Sequence, residues 1–208
     1  FRDSFASLPG DMLNASTRLP GCTTACDPDT GAGAGGNSII GSPTWASGWA
    51  SQFVALSGTG VGRETVLFWT HLLQADLISG VSPEALTATA AQWGVTHPQA
   101  RINGGFVVGY ADGTANPPGG ATTTTRPTGM VLALVNAPNV ALDTVAGQNP
   151  LTAGKAAQLD RKMDDGRPSS GFVQAYGVTT SCIGTPATPT YVESTTGNDC
   201  GLVFRIQG

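Results

Sequence analysis

Charged residues are scarce in this chain, and the shortage narrows the classes of partner expected for it. Asp, Glu, Lys and Arg make up 12% of the 208 residues, and the formal net charge is −4. Proteins that bind nucleic acid present a basic patch or stripe to the phosphates. The basic residues here are few and scattered along the sequence. Nucleic acid is therefore not expected as the main partner.

Long apolar runs are also missing. A transmembrane helix needs about 18 to 20 consecutive apolar residues, and the sequence contains no such run. It shows no secretion signal either. The chain begins at Phe1 without an initiator Met. We therefore expect a processed or trimmed end, with a targeting signal that could have lain upstream.

Sequence motifs of the common enzyme classes are absent as well. No nucleophile elbow, zinc-protease helix or phosphate-binding loop occurs. Only two histidines are present. His71 lies on a predicted helix and is interpreted as a partly exposed packing residue, whereas His97 precedes a proline in a predicted turn. Enzymatic activity and a cofactor are not expected.

Clustered carboxylates are the one feature that acid–base catalysis could use. They lie at the end of a predicted helix among three basic residues: Asp160, Asp164 and Asp165, with Arg161, Lys162 and Arg167. The simpler interpretation is a helix end and turn held by salt bridges. The sequence therefore predicts a structural role for this segment.

The four cysteines form two local pairs in the sequence, Cys22 with Cys26 and Cys182 with Cys200. Four cysteines allow three pairings, and their spacing favours the local ones. Zinc is the alternative, but the long interval between Cys182 and Cys200 makes a poor half-site. Disulfides are therefore predicted, and they imply an oxidising compartment outside the cytoplasm.

The clearest periodic pattern predicts a central helix over 63–79. Its apolar residues recur at spacings of three and four and form one stripe. Glu64 lies near the positive end of the helix dipole. Gly80 is placed to end the helix in a left-handed conformation, and Pro83 follows shortly after.

The chain is rich in glycine and proline, with 29 Gly and 14 Pro, and most of the first quarter is predicted to be loop. Residues 1–8 are interpreted as the end of a helix that Pro9 and Gly10 terminate. Residues 17–47 form a predicted surface loop pinned by the first cysteine pair.

Two candidate sites fall in or beside this loop. Asp27, Asp29 and Asn37 could supply oxygen ligands to calcium, although no closing Glu follows; the alternative is an Asp-Pro turn with local hydrogen bonds. Trp45 and Trp49 could stack on sugars as a binding site, and packing in a core is the alternative interpretation.

The second half changes to short apolar segments with a period of two or no period, which predicts strands. Four strands are expected, at 105–110, 130–135, 171–176 and 200–206, with a helix over 152–163 that Thr152 caps and whose inner face carries Ala156, Leu159 and Met163. The fold class is therefore α+β, as one domain over 1–208 with a sheet region from 102 to the end.

Several segments, taken in order, resemble the extracellular headpiece of a type IV pilin or type II secretion pseudopilin. The matching segments are Leu8-Pro9-Gly10-Asp11-Met12, then Glu64-x4-Trp69-x2-Leu72-x2-Ala75-x-Leu77-Ile78-x-Gly80, then Gly104-Gly105-Phe106, then Asp160-x-Lys162-Met163-Asp164-Asp165-Gly166-x-Pro168-x2-Gly171, and last Cys182…Tyr191…Cys200 before a final strand. The Asp-x-Lys-x-Asp-Asp-Gly-x-Pro run is the most specific of them.

The resemblance implies a long N-terminal helix packed on an antiparallel sheet, and a disulfide-closed loop, 182–200, near the C-terminus. It implies a structural subunit of a pilus or periplasmic filament. The expected partners are other pilin or pseudopilin subunits and, through a missing apolar helix, the inner membrane. Phe5 departs from the family's Glu at the fifth position, so Phe1 is not expected to be the processed pilin terminus. The alternative function is a minor or tip pilin, or a secreted module that binds a surface, glycan or DNA.

Overall fold

The computed structural model describes residues 1–29, 35–41, 62–83, 88, 90–114, 126–138, 145–184 and 189–207. These ranges hold helices α1 (Arg2–Phe5), α2 (Ala15–Arg18), α3 (Gly62–Gln74) and α4 (Ala153–Met163), and strands β1 (Gly105–Asp112), β2 (Thr128–Val135), β3 (Val173–Gly177) and β4 (Cys200–Gln207). Within them, none of the helices combines the length and the apolar character needed to cross a bilayer.

The four strands form one antiparallel sheet in the order β1-β2-β4-β3. The last strand in the sequence, β4, therefore lies inside the sheet. Paired residues share a face, and Leu134 pairs with both Phe106 and Leu202. The pairing of β2 with β4 shifts between Met130 and Val131. The described residues form an α+β architecture, as the sequence predicts.

Both longer helices pack on the same face of this sheet, near opposite ends. α4 packs against β3 and β4, where buried Leu134, Ala175 and Leu202 join its alanines in one core cluster. α3 packs against β1, where Phe68 and Trp69 meet residues at the other end of the face. The half-buried Phe106 contacts both clusters.

The opposite face of the sheet is also buried. Its cluster comprises Val107, Ala111, Val131, Ala133, Val135, Tyr176 and Val203, with Trp93 packed against it. The Tyr176 ring lies close over Gly201, where a Cβ atom would come within 2.0 Å of it. Glycine is therefore required at this point of β4.

Helix α3 ends earlier than the sequence predicted. Its last residue is Gln74, and the reversal falls at Asp76, which has a φ of 55°. The amides of Asp76 and Leu77 bond back to Leu73 O and Leu72 O, the pattern of a Schellman end. The prediction that Gly80 ends this helix was wrong, because aspartate tolerates the left-handed conformation well enough to end it four residues sooner.

The N-terminal segment also differs from its prediction. Helix α1 covers only Arg2–Phe5 and ends at Ala6, whose φ is 51°. Its Phe1 and Phe5 pack on a separate small cluster with Met12. Among the described residues, α3 and α4 are the helices on the sheet. The predicted loop over 17–47 contains the end of α2 and a short 3-10 turn at Thr24–Cys26.

Helix α4 begins as predicted, because the Thr152 side chain accepts a hydrogen bond from Lys155 N. Its buried face differs from the prediction: it is made of Ala153, Ala156, Ala157 and Asp160. The predicted inner residue Met163 is 48% exposed. Small alanines let the helix lie close to the sheet, which leaves the longer side chains at its margins.

Candidate functional site

Two groups of polar side chains in the described chain contain buried carboxylates. We call Asp11, Glu64 and His71 the α3 cluster, and Asp160, Asp164, Asp165 and Tyr191 the α4 corner. A buried polar group is costly unless it is hydrogen-bonded. The partners of each group therefore indicate what it does.

Glu64 lies in the first turn of α3 and is fully buried. Gly35 N donates to its Oε1 over 2.6 Å, and Gly41 N donates to its Oε2 over 2.9 Å. Burial, with smaller contributions from Asp11 and Asp29, raises the pKa of Glu64 to about 7. The sequence pointed only to the helix dipole, whereas the carboxylate holds the backbone of a neighbouring loop.

Asp11 holds the same loop from the other side. Its two carboxylate oxygens accept hydrogen bonds from Asn37 N and Ser38 N, over 2.9 and 2.8 Å. Its backbone carbonyl accepts a further bond from Gly36 N. Burial raises the pKa of Asp11 against the opposing effect of these amides. Two buried carboxylates thus fix the segment 35–41.

His71 is fully buried, so its prediction as a partly exposed residue was wrong. Gly10 N donates to Nδ1 over 2.8 Å, and Nε2 lies 2.8 Å from Cys26 O. An acceptor Nδ1 places the proton on Nε2 of a neutral ring, and burial lowers the pKa of His71. The ring joins the first disulfide to the segment around Gly10. A Cβ atom added at Gly10 would lie 2.5 Å from Glu64 O.

The three residues of the calcium hypothesis have partners within the protein. Asp27 accepts from Ser16 N and Ser16 Oγ, over 2.9 and 2.7 Å. Asp29 lies 3.7 Å from the Arg63 guanidinium, and Asn37 Oδ1 accepts from Ile39 N. These contacts are the turn and side-chain bonds of the alternative interpretation. Calcium binding remains a prediction.

At the α4 corner, Asp160 is fully buried. The Tyr191 hydroxyl donates to its Oδ2 over 2.8 Å, and Gly166 N donates to its Oδ1 over 3.1 Å. Burial raises the pKa of Asp160 to about 6. Burial and the neighbouring carboxylate also raise the pKa of Tyr191, which keeps the hydroxyl protonated as a donor.

The other two carboxylates of the corner shape the turn that leads to β3. Asp164 Oδ2 accepts from Phe172 N and Val173 N, over 2.6 and 3.0 Å. Asp165 accepts from Arg167 N and Ser170 Oγ. The predicted salt bridges at this helix end are therefore wrong in their partners, because the carboxylates bind backbone and hydroxyl donors.

A cation could also suit this corner on distance alone. One oxygen of each of Asp160, Asp164 and Asp165 lies within 4.8 Å of the others. The same side chains accept the protein's own hydrogen bonds, however, as described above. The ion pair near this corner joins Arg161 to Glu193, which lies in the disulfide-closed loop, over 2.8 Å.

Both predicted disulfides are present, Cys22–Cys26 and Cys182–Cys200. The second bond joins the turn after β3 to the first residue of β4. Disulfides persist in oxidising compartments, so they indicate an extracellular or periplasmic environment.

His97 stands apart from these clusters. His97 is fully buried; its Nδ1 lies 2.8 Å from Thr96 Oγ1, and burial lowers its pKa to about 4. Trp45 and Trp49 lie outside the described residues.

A groove of about 430 Å³ runs along α4, and no sequence pattern predicted it. It is lined by Ile102, Leu151, Lys155, Gln158, Leu159 and Lys162. Its floor is apolar, and both of its lysines are exposed. No family model, curated protein or solved structure matches this chain significantly.

Proposed function

We propose that this chain is the headpiece of a structural subunit in a type IV pilus or a related secretion filament. The observation that carries the proposal is the C-terminal unit. There, Cys182–Cys200 closes a loop ahead of the final strand, and that strand lies inside an antiparallel sheet covered by a helix. The resemblance in the sequence implies two of these features, the antiparallel sheet and the disulfide-closed loop near the C-terminus.

The most specific run of that resemblance supports the proposal further, because it forms one continuous structural unit. Asp160 binds Tyr191 of the disulfide loop, and Asp164 binds the first amides leading to β3. A Cβ on Gly171 would lie 1.8 Å from Asp164 Oδ2. The run therefore fixes the helix to the sheet, as a rigid headpiece would need.

The clusters around α3 and α4 favour a structural role over a catalytic one. Glu64, Asp11 and His71 bond to backbone groups of the protein itself, and the carboxylates of the α4 corner bond to backbone and hydroxyl groups. A general acid or base must reach a substrate proton. These groups instead position loops.

In this proposal, an apolar helix ahead of Phe1 anchors the subunit in the inner membrane and then packs in the filament. The headpiece faces outward and contacts its neighbours through different surfaces, which generates an open helical assembly. The partners are other pilin or pseudopilin subunits.

The test is the native form of the protein in cells that express it. We expect antibodies against the headpiece to label filaments sheared from the surface or spanning the periplasm. Mass spectrometry of the same fraction should find an apolar segment of roughly 20 residues before Phe1, with a methylated Phe at its start. A native protein that is released as a free monomer after an ordinary secretion signal would contradict the proposal.

A further inference from the structure

Two exposed features of the described chain complement each other in apolar character and charge. The first is the groove on α4, with the apolar Ile102, Leu151 and Leu159 and the exposed Lys155 and Lys162. Ile102 is 55% exposed, so the groove presents apolar surface to solvent. Neither lysine forms an ion pair with a described residue.

The second feature is the C-terminal end of α3. The Schellman reversal places Asp76 and Leu77 side by side on the surface, where Leu77 is 52% exposed. Asp76 is exposed too, and no described cation pairs with it. An apolar side chain beside a carboxylate matches an apolar floor beside two ammonium groups.

The two features lie at different ends of the sheet. The groove belongs to the α4 end, where Leu159 packs on the cluster around Leu202. The α3 end contacts the cluster around Val108 and Met130. Two complementary patches at separate places produce a heterologous contact, and such contacts repeat into open chains.

We propose that Asp76 and Leu77 of one copy of this chain insert into the groove formed by Ile102, Leu159, Lys155 and Lys162 of a second copy. The inference rests on the proposed filament role, since it names one contact between neighbouring subunits. Leu77 covers the apolar floor, and Asp76 pairs with the two lysines. One such contact is smaller than the roughly 1,200 Å² that a stable interface buries. The headpieces therefore associate weakly in solution and firmly only when the rest of a filament aligns them.

The experiment is zero-length carbodiimide cross-linking of the chain at about 1 mM, with an equal mixture of ¹⁴N and ¹⁵N copies. We expect mixed-isotope products in which the Asp76 carboxylate is joined to the Lys155 or Lys162 amine. Leu77→Ser leaves the reacting groups in place and should lower this yield about fivefold. Val145→Ser, a matched control at a residue that is 57% exposed, should leave it unchanged.

A charge exchange gives an independent readout. ¹⁵N-labelled Asp76→Lys chains and unlabelled Lys155→Glu/Lys162→Glu chains should each lose the cross-link. Mixed together, they should regain the natural cross-link, between Asp76 of the unlabelled chain and Lys155 or Lys162 of the labelled chain. They should also gain a second cross-link, in which the introduced lysine reacts with the introduced glutamates. Lysine tolerates a positive φ less well than aspartate, so circular dichroism of Asp76→Lys checks that the end of α3 is intact. The Leu77→Ser experiment does not depend on this check, because it leaves Asp76 unchanged.

Absence of intermolecular Asp76 products, or an unchanged yield in Leu77→Ser, would overturn the proposed contact. Filament labelling distinguishes this failure from a failure of the proposed function. Labelled filaments without the cross-link mean that the subunits meet through another surface. The cross-link without labelled filaments would mean that copies of the chain associate through this contact but do not form a filament.

Discussion

Two regions of this protein are stabilised by different means. The first is the N-terminal region, which comprises the described residues of 1–41 and α3, and the second is the C-terminal region, 145–207. In the first, the segment 35–41 is held largely by backbone amides bonded to Glu64 and Asp11. Its disulfide spans a sequence separation of only 4. In the second, a helix packs on a sheet, and the disulfide spans a separation of 18.

This difference shows that the stability of one small protein can depend on different solution conditions in different regions. In the first region, buried ionisable groups organise the backbone of the segment 35–41, and stability then follows protonation. Where apolar packing is extensive, a covalent closure adds to it, and stability then follows the redox state. Mutations can test the stabilising interactions of each region separately.

The largest effect is expected from the wide disulfide. Replacing Cys182 and Cys200 with alanine should lower the free energy of unfolding by about 3 kcal/mol, because the unfolded chain gains the freedom of a long loop. The same replacement of Cys22 and Cys26 should cost roughly 1 kcal/mol less. Urea unfolding of both variants measures the difference. Equal losses of unfolding free energy would show that the Cys182–Cys200 bond stabilises the protein no more than the Cys22–Cys26 bond does.

The next effect is the pH dependence from Glu64. Its pKa of about 7 in the folded protein exceeds the unfolded value of 4.5, so the folded state binds more protons between these values. The stabilisation is complete below pH 4.5 and is lost as the pH rises through 7. The stability of the natural chain relative to Glu64→Gln should therefore fall by up to about 3 kcal/mol between pH 4.5 and 8.

Unfolding of both chains in urea at several pH values measures this difference. The lowered pKa values of His71 and His97 act in the opposite direction below pH 6.5, and they cancel because both chains retain them. Asp3→Asn is the control, since that carboxylate is exposed. Parallel pH curves for the natural and Glu64→Gln chains would refute the expectation.

A smaller effect is expected at the α4 corner. Tyr191→Phe removes the donor to Asp160 Oδ2 and leaves a buried oxygen unpaired, which should cost about 1–3 kcal/mol at pH 8. The loss should shrink near pH 4.5, because the pKa of Asp160 is about 6 and the neutral carboxyl is easier to bury. Thermal unfolding at both pH values tests this. Tyr110→Phe is the matched control, and an equal loss there would argue against a specific role for the Tyr191 hydroxyl.

The smallest effect is expected from the exposed ion pair at the same corner. The Arg161 and Glu193 side chains are 48% and 46% exposed, and exposed pairs contribute about 0–1 kcal/mol. Arg161→Gln should therefore destabilise less than any of the changes above, and 1 M salt should remove most of the difference. A larger, salt-independent loss would mean that the arginine stem packs the disulfide loop.

Sequence reasoning succeeds where the signal is local. The strands are short apolar runs between glycines, Thr152 marks the start of α4, and cysteine spacing selects the disulfides. The order of the strands in the sheet cannot be predicted in this way, because the pairing of β4 with both β2 and β3 joins distant parts of the chain. No local pattern encodes that order.

The α3 cluster shows how a polar group can belong to a core. Glu64, Phe68 and His71 are spaced four and three apart, so the buried stripe of the helix includes them all. That spacing was the available signal, but the partners that make burial tolerable are amides and a carbonyl of distant loops. The end of α3 was missed for another reason, since both Asp76 and Gly80 can adopt a left-handed conformation.

The interior position of β4 also governs when this protein can fold. Strands β2 and β3 have no shared partner until Cys200–Gln207 has been synthesised, and Cys182 has no native disulfide partner before then. A ribosome-bound chain lacking that segment cannot close its sheet. The sheet and the disulfide that closes the loop ahead of β4 are therefore completed together, and only after β4 has left the ribosome.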